Sequence, residues 1–370
     1  MRRILSAGAT ALLAIAMLGS ASAQTITYTV DCSKGQTISS ALERGDVHKP
    51  LVINVRGVCR EFVTITRANV TLRGDPTAEI VAPDNERDLL TVAADRVWLG
   101  NLTLTGGLTG LSQDHEPTFY AEKVVIQDTR NIGLRVRVGD ARVNDCTVQR
   151  AGGIGVSVVR GGSLILGNCQ ILDSGQAGVS VAGSSVVNLN RSTVMRNGAQ
   201  GIVLSQGSQG FITNGSTIAE NAGNGIDVQM SQVNVTGRNT IRDNGGFGIG
   251  GHGSPIAIDN NTITGNRGDG VMGYIGTTLV LHGNTISGNG GSGVVSMGNS
   301  LVQIGRATIE NNGSNGITLV WGAKLILEEP ATKVSGNRYH ALYCADRESS
   351  YMEMAPLDTI DPVVCTDFDN

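Results

Sequence analysis

Between about Leu104 and Ile309 one short phrase recurs at a nearly fixed interval. It consists of a Thr-Ile or near equivalent, a polar stretch that usually holds Asn, a Gly-Ile or Gly-Val, and an alternating run. The apolar anchors are Leu104, Ile126, Val148, Ile171, Val194, Ile218, Ile241, Ile263, Ile286 and Ile309, spaced 22 to 24 residues apart. A period in the low twenties marks a solenoid. A repeat this small cannot bury its own apolar face and must stack on its neighbours.

The runs within each repeat are brief, β-branched and alternating, as in Gly201-Ile-Val-Leu, Gly225-Ile-Asp-Val and Gly316-Ile-Thr-Leu, which reads as strand rather than helix. Each repeat holds about three of them, broken by Gly, Asn and Ser. The expected fold is therefore all-β, a parallel β-helix with three short strands per coil. Leu is too sparse for a leucine-rich horseshoe. Eight residues after each anchor from Val148 onward stands a second apolar: Val156, Val179, Ile202, Ile226, Ile249, Val271, Val294 and Ile317. These predict aliphatic stacks inside. Asn197, Asn221, Asn244, Asn266, Asn289 and Asn312 each sit three residues after an anchor, so they fall one above another at a turn. Side-chain amides there serve each other and the backbone of the bend.

The ends read differently. Residues 1–23 look like an export signal: Arg2 and Arg3, an apolar stretch from Ala9 to Leu18, and Ala21-Ser22-Ala23 before Gln24. The apolar run is too short for a membrane span. Removing its two arginines takes the formal charge from −4 to −6. No basic stripe remains, which argues against a nucleic-acid partner. Six cysteines in an exported chain suit disulfides. Cys32 with Cys59, and Cys344 with Cys365, are expected to staple the two ends. Cys146 and Cys169 lie one coil apart and are either bonded or a pair of inward thiols. Gly35 to Gly45 suits a short amphipathic helix that closes the open apolar end of the stack. The organisation expected is an N-terminal cap over 24–62, the solenoid over 63–340 and an irregular C-terminal cap over 341–370.

The order of that helix, Leu51-Val-Ile-Asn-Val-Arg-Gly-Val-Cys-Arg-Glu-Phe-Val-Thr-Ile, and then Asn69-Val-Thr-Leu-Arg-Gly resembles the entry segment of the pectin-lyase-like right-handed β-helix superfamily. The later Asn-Thr-Ile-x-x-Asn-Gly-Gly-x-Gly-Ile copies are similar to its generic repeats, so the resemblance spans roughly 36–340. It implies a right-handed helix. The superfamily includes polysaccharide lyases, polygalacturonases, alginate C5-epimerases, pectin methylesterases and non-catalytic members, so fold alone fixes no chemistry.

Candidate site residues come from the outward positions of the Gly-Ile strand. One column reads Arg135, Ser157, Ser180, Val203, Asp227, Gly250, Met272, Val295, Thr318; the other reads Arg137, Val159, Ala182, Ser205, Gln229, His252, Tyr274, Met297, Val320. Two places break the small and apolar rule. The first is Asp227, Gln229, His252 and Tyr274. Gly248, Gly250, Gly251 and Gly253 are expected to leave a notch around His252. His and Tyr suit base and acid, with Asp227 orienting His252. The second is Arg135 and Arg137 beside His115 of the Asp114-His115-Glu116 stretch, with Arg160 nearby. Paired arginines there could hold a uronate carboxylate. The bland reading of both is a solvated polar surface. Arg135 and Asp227 are four coils apart, about 19 Å by strand spacing, so they share no reacting atom but could lie along one groove.

Gly251-His252-Gly253 resembles one polygalacturonase signature, but that family's other signatures and its paired carboxylates are absent. The Asp-Pro-His-Asp box of alginate epimerases is absent too. No His/Cys cluster suggests a metal, and calcium, which lyases of the superfamily often use, has no supporting second carboxylate beside Asp227. The expectation is a periplasmic or secreted monomer, without cofactor, that binds a polysaccharide along its sheet face. An acidic sugar chain and uronate cleavage or epimerisation are within its reach. The rival is a non-catalytic envelope or surface scaffold, which the shortage of aromatics on the face favours: Tyr274 and Trp321 are the obvious sugar platforms.

Overall fold

The computed structural model describes residues 24–365 apart from Glu116; the expected export signal lies outside the described residues. The chain winds as a parallel β-helix. Each coil in the body contributes a four-residue strand such as Val156–Val159, a five-residue strand such as Ser163–Gly167 and a three-residue strand such as Gln170–Leu172. These build three faces, called here the Gly-Ile face, the middle face and the Thr-Ile face. The Gly-Ile face is a single 14-stranded parallel sheet. The other two merge near the N-terminus, where Val70–Val81 and Val97–Thr105 run through the corner between them.

Register follows the repeat. The Thr-Ile anchors pair in file, Ile126 with Val148, Val148 with Ile171, and so on to Ile309 with Val334. The Gly-Ile apolars pair likewise from Val156 to Ile317. Every one of them is buried. A single aliphatic column, one side chain per coil, thus runs down each inward edge.

The turns are polar inside and linked from coil to coil by side-chain ladders. Asn197 Nδ2 donates to Asn221 Oδ1 at 2.9 Å, and the same bond repeats through Asn244, Asn266, Asn289 and Asn312 to Asn337. Each oxygen also accepts the backbone N–H of the preceding asparagine, at 3.1 Å for Asn197 to Asn221. Two further ladders were not singled out in the sequence. Ser185, Ser208, Ser231, Ser254, Thr277 and Ser300 form one, each backbone N–H donating to the next hydroxyl. Cys169, Ser192, Ser216, Asn239, Asn261 and Asn284 form the other. Cys146 is disulfide-bonded to Cys169 at the head of that ladder, with Cα atoms 4.6 Å apart. Cys32–Cys59 and Cys344–Cys365 are also bonded.

The ends are closed by specific contacts. The N-terminal helix is shorter than the Gly35–Gly45 stretch, covering Ile38–Leu42 with Ile38 and Ala41 buried. Cys32–Lys34 form a separate 3-10 turn that ends in left-handed Gly35. Glu61 caps the helix start by accepting from the backbone of Ile38 and Ser39 at 2.7 and 3.0 Å. Beyond Leu42 the chain is drawn away by Arg67, which donates to the carbonyls of Leu42, Arg44, Asp46 and Lys49. Ile26–Asp31 and Leu51–Arg60 already pair in parallel beneath this cap. The C-terminal segment is more regular than expected, since Leu342–Cys344, Ser350–Glu353 and Val363–Val364 continue the parallel stacking. Asp346 accepts from the backbone of Trp321, Gly322, Glu348 and Ser349 there. Burial alone would raise its pKa, but the backbone N–H groups of Trp321, Gly322 and Ser349 and the Ser349 hydroxyl together hold it below the usual carboxylate range.

Arg67→Met should destabilise the N-terminal end by about 2 kcal/mol, because four part-buried carbonyls lose their donor. Hydrogen exchange of Ile26–Asp31 would accelerate while Ile202–Ser205 stays protected. Equal acceleration of both segments would show that Arg67 is no local clamp.

Candidate functional site

The two outward columns of the Gly-Ile face stand as the repeat predicts. Asp227 pairs with Gly250 and then Met272, while Gln229 pairs with His252 and then Tyr274. The structure therefore brings Asp227, Gln229, His252 and Tyr274 together on three consecutive coils. The His252 and Tyr274 rings lie 5.5 Å apart, tilted at 42°. His252 and Gln229 are exposed, and Asp227 and Tyr274 are half-buried.

Two details differ from the expected notch. Gln229 Nε2 donates to Asp227 Oδ2 at 3.1 Å, so the Asp227 carboxylate is held by its own strand rather than hydrogen-bonded to His252. The glycines, too, divide into separate roles. A Cβ on Gly251 would collide with Ile256 inside the stack, and one on Gly248 would strike the Gly270 carbonyl and Ile263. Those two are demanded by close packing of neighbouring coils. Gly253 sits at a turn with φ 58. Gly250 alone of the four opens the outer face. Its missing side chain leaves room for Phe247 Cδ2, Asn224 Nδ2 and Asp227 Oδ1, which would lie 3.4, 3.6 and 4.0 Å from a Cβ there.

Phe247 and Asn224 are thus site neighbours that the outward columns did not include. Both lie two residues before the inward apolar of their coil, at the mouth of the strand, where Gln200, Asn224, Phe247, Asp269 and Ser292 succeed one another. An aromatic in that polar file was the available signal. Burial pushes the Asp227 pKa above its ordinary value, against smaller lowering effects from the Gln229 hydrogen bond and the nearby His252. Asp269 is raised by burial in the same way, although it accepts the Ser292 N–H at 2.6 Å.

The second place is a concavity of 530 Å³ lined by Asp114, His115, Arg137, Val138 and Arg160. Arg137 and Arg160 have no ion-pair partner among the described residues, and Arg137 Nε is buried without a hydrogen bond. Arg135 does not join them. It is ion-paired with Asp88, so the arginines at this concavity are Arg137 and Arg160 rather than the expected Arg135 and Arg137. His115 is exposed and lies 3.7 Å from the carboxylate of Asp114.

Both places are followed by backbone strain. Val138 comes after Arg137 at φ 52, and Ile275 comes after Tyr274 at φ 42. A β-branched residue in the left-handed region is a genuine outlier. At the same turn on other coils stand Arg160, Gln206, Met230 and Trp321, or glycine at 183, 253 and 298, none of them β-branched.

Among the described residues, the one group with metal-ligand spacing is Cys32, Cys59 and Glu61. Its cysteines are joined in a disulfide, and Glu61 serves the helix start.

A solenoid of in-register parallel coils with inward aliphatic files and turn ladders defines a parallel β-helix. A family model described as "Right handed beta helix region" matches residues 133–254 and 177–339, more than half of the chain, so the protein belongs to that family. No curated protein sequence gives a significant match. Among solved structures, the A-module of mannuronan C-5 epimerase AlgE4 from Azotobacter vinelandii is similar with a TM-score of 0.59 at 16% identity, covering 81% of this chain and 95% of that one. The periplasmic alginate epimerase AlgG follows at 0.52 and 13%, covering 91% and 85%. The Dettilon tailspike protein stands at 0.50 and 12%, covering 82% of this chain and 64% of that one. At these identities the likeness is one of fold.

A carboxyl whose pKa is raised in the folded state costs stability once it ionises. The cost is absent below the unfolded value, near 3.9, and appears as pH rises through the folded one. Asp227→Asn should therefore raise the melting temperature at pH 7 and leave it unchanged at pH 3; a variant destabilised at pH 7 would show that the charge is welcome where it sits. Ile275→Gly should add about 1 kcal/mol of stability by relieving the left-handed backbone. Calorimetry that finds a loss instead would remove the strain.

Proposed function

We propose that the protein is exported and binds a uronate-containing polysaccharide along its Gly-Ile face. The observation that carries this reading is the grouping of Asp227, Gln229, His252 and Tyr274 on three coils of a face whose other outward residues are mostly small or apolar. The concavity with Arg137 and Arg160, which have no ion-pair partner among the described residues, lies on the same face. Arg137 and His252 are five strands apart, about 24 Å, a span that suits successive sugars of one chain. Three disulfides fit an oxidising compartment, the periplasm or the cell exterior. The alginate epimerases among the structural neighbours act on uronate polymers, which favours an acidic chain here.

The reaction that this grouping suits is elimination. Neutral His252 would take the C5 proton of a uronate, and the Tyr274 phenol would protonate the departing oxygen. The N–H of the Gln229 amide that is not given to Asp227 would bond the sugar carboxylate. His252 and Tyr274 stand side by side, so they approach a bound sugar from one face. Epimerisation would need a proton removed from one face and returned to the other, and the grouping offers less for that. Tyr274 also supplies a ring for the apolar side of a sugar.

The second reading is a binding scaffold without turnover. The Asp227–Gln229 hydrogen bond favours it, because His252 then lacks the carboxylate that would orient it. Purified protein would be titrated with alginate, pectate and glycosaminoglycan chains, with unsaturated product followed by ultraviolet absorbance and epimerised product by NMR. We expect binding that His252→Ala weakens about tenfold, and turnover that Tyr274→Phe lowers by about a hundredfold. Binding that survives both substitutions removes the Gly-Ile face as the site. Binding that needs them but yields no product establishes the scaffold.

A further inference from the structure

The middle face carries a concavity of 640 Å³ that neither reading above uses. Its rim is one outward column of four successive coils, Glu122, Asn144, Gly167 and Asn190. The column loses its side chain at Gly167, and a Cβ there would collide with Asn144 Oδ1. The Asn144 amide therefore leans into the gap that glycine leaves. The adjacent turn column supplies Asp145, Asn168 and Arg191, all in the left-handed region at φ 50, 56 and 49. Asn168 Nδ2 donates to the Asp145 carboxylate. Ile165 forms an apolar floor. A smaller recess of 250 Å³ continues from it and shares Asp145, Asn168 and Arg191.

Two observations set this place apart from ordinary polar surface. Asn190 Oδ1 is buried and has no hydrogen-bond partner among the described residues, a state that costs free energy unless a ligand or water supplies a donor. The coils beneath are also stapled. Cys146 and Cys169 immediately follow Asp145 and Asn168, and they are disulfide-bonded. Further along the same turn, the side-chain links between coils are hydroxyl and amide hydrogen bonds instead. The covalent link thus falls directly under the residues that line the concavity and fixes their spacing, as a binding site requires.

The chemistry of the lining narrows the ligand. Glu122 and Asp145 would repel a phosphate or sulfate. The Arg191 guanidinium, without an ion-pair partner among the described residues, disfavours a bare cation. What remains is a ligand that both donates and accepts and that has one apolar face for Ile165, which describes a sugar ring. The volume is within the range of small-ligand sites. We propose that the middle face holds a second glycan site, for one or two units of a neutral, hydroxyl-rich sugar chain, separate from the Gly-Ile face. It stands whether or not that face binds uronates.

The test uses the full chain, an array of neutral oligosaccharides and a calorimetric titration with Ca²⁺. We compare wild type with Glu122→Gln/Arg191→Ala and with His252→Ala/Tyr274→Phe. At least one neutral glycan should bind about tenfold more weakly to the first double variant, as loss of charged hydrogen bonds implies, and equally well to the second. It should also shift the side-chain amide NMR signals of Asn168 and Asn190 in the wild type, a readout that needs no variant to fold. Binding of neutral glycans unaffected by Glu122→Gln/Arg191→Ala, absence of any neutral-glycan binding, or Ca²⁺ displacing those amide signals instead would each overturn the proposal. A uronate bound only where His252 and Tyr274 are intact bears on the Gly-Ile face alone.

Discussion

In the body of this molecule a strand cannot satisfy its backbone within its own coil. Ile202 N–H reaches the Gly225 carbonyl, Ile226 reaches Gly248 and Ile249 reaches Gly270, each one coil onward, while Thr193 reaches Cys169 and Gln209 reaches Ser185, one coil back. Each coil is therefore fixed in height and register by the next, about 4.8 Å away. A one-residue slip in any coil would turn its aliphatic residues outward. The near-constant period is the sequence's record of that requirement. It also explains the elaborate ends. Glu61 and Arg67 at the first coils, and Asp346 at the last, supply bonds that a further coil would otherwise have made.

The corners solve a harder problem than the strands. A turn that faces the interior exposes backbone groups to an apolar column, and an unmet one costs on the order of 1–3 kcal/mol. Asparagine answers with two functions in one side chain. In the Asn197–Asn337 ladder the oxygen takes both the amide and the backbone N–H of its neighbour, while the nitrogen also reaches a carbonyl such as Ile218 O. Serine does the same with less reach, its hydroxyl bonding back within its own turn, as Ser208 Oγ does to Ser205 O. Buried polarity therefore stiffens this core, because every member of each ladder has its partner.

That logic decides what could be read from the chain. Periodic residues were legible, since a column of like side chains needs only the period and the inward or outward sense of a strand. Ile249 and Val271, His252 and Tyr274, and the asparagine file all followed from it. The serine ladder obeys the same spacing and was equally visible at Ser185, Ser208 and Ser231. What escaped were contacts that leave the column. Arg135 turns to Asp88, two coils earlier and outside its file. Phe247 folds from the mouth of its strand over Gly250. Gly248 and Gly251 looked like an opening, but their space is occupied from within by Ile263 and Ile256. A period gives the neighbours in a file; it does not give the rotamer that a long side chain adopts.

The outer surface can be weighed by what it costs. Asp346 and Asp227 are both carboxylates in folded, ordered places, yet their surroundings push them in opposite directions. Asp346 is met by four backbone N–H groups and a hydroxyl, so its charge helps to hold the last coils. Asp227 has one side-chain amide, from Gln229, so its charge is carried against desolvation. Architecture gains nothing from Asp227, and Ser180 and Val203 hold the same column without charge. The strained Ile275 and Val138 are similar, since glycine or a polar residue serves that turn on other coils. Costs that the stack does not need stand beside Tyr274 and Arg137, on one face of the fold. Local disadvantage of this kind, set in a scaffold rigid enough to bear it, is in keeping with the binding proposed for that face.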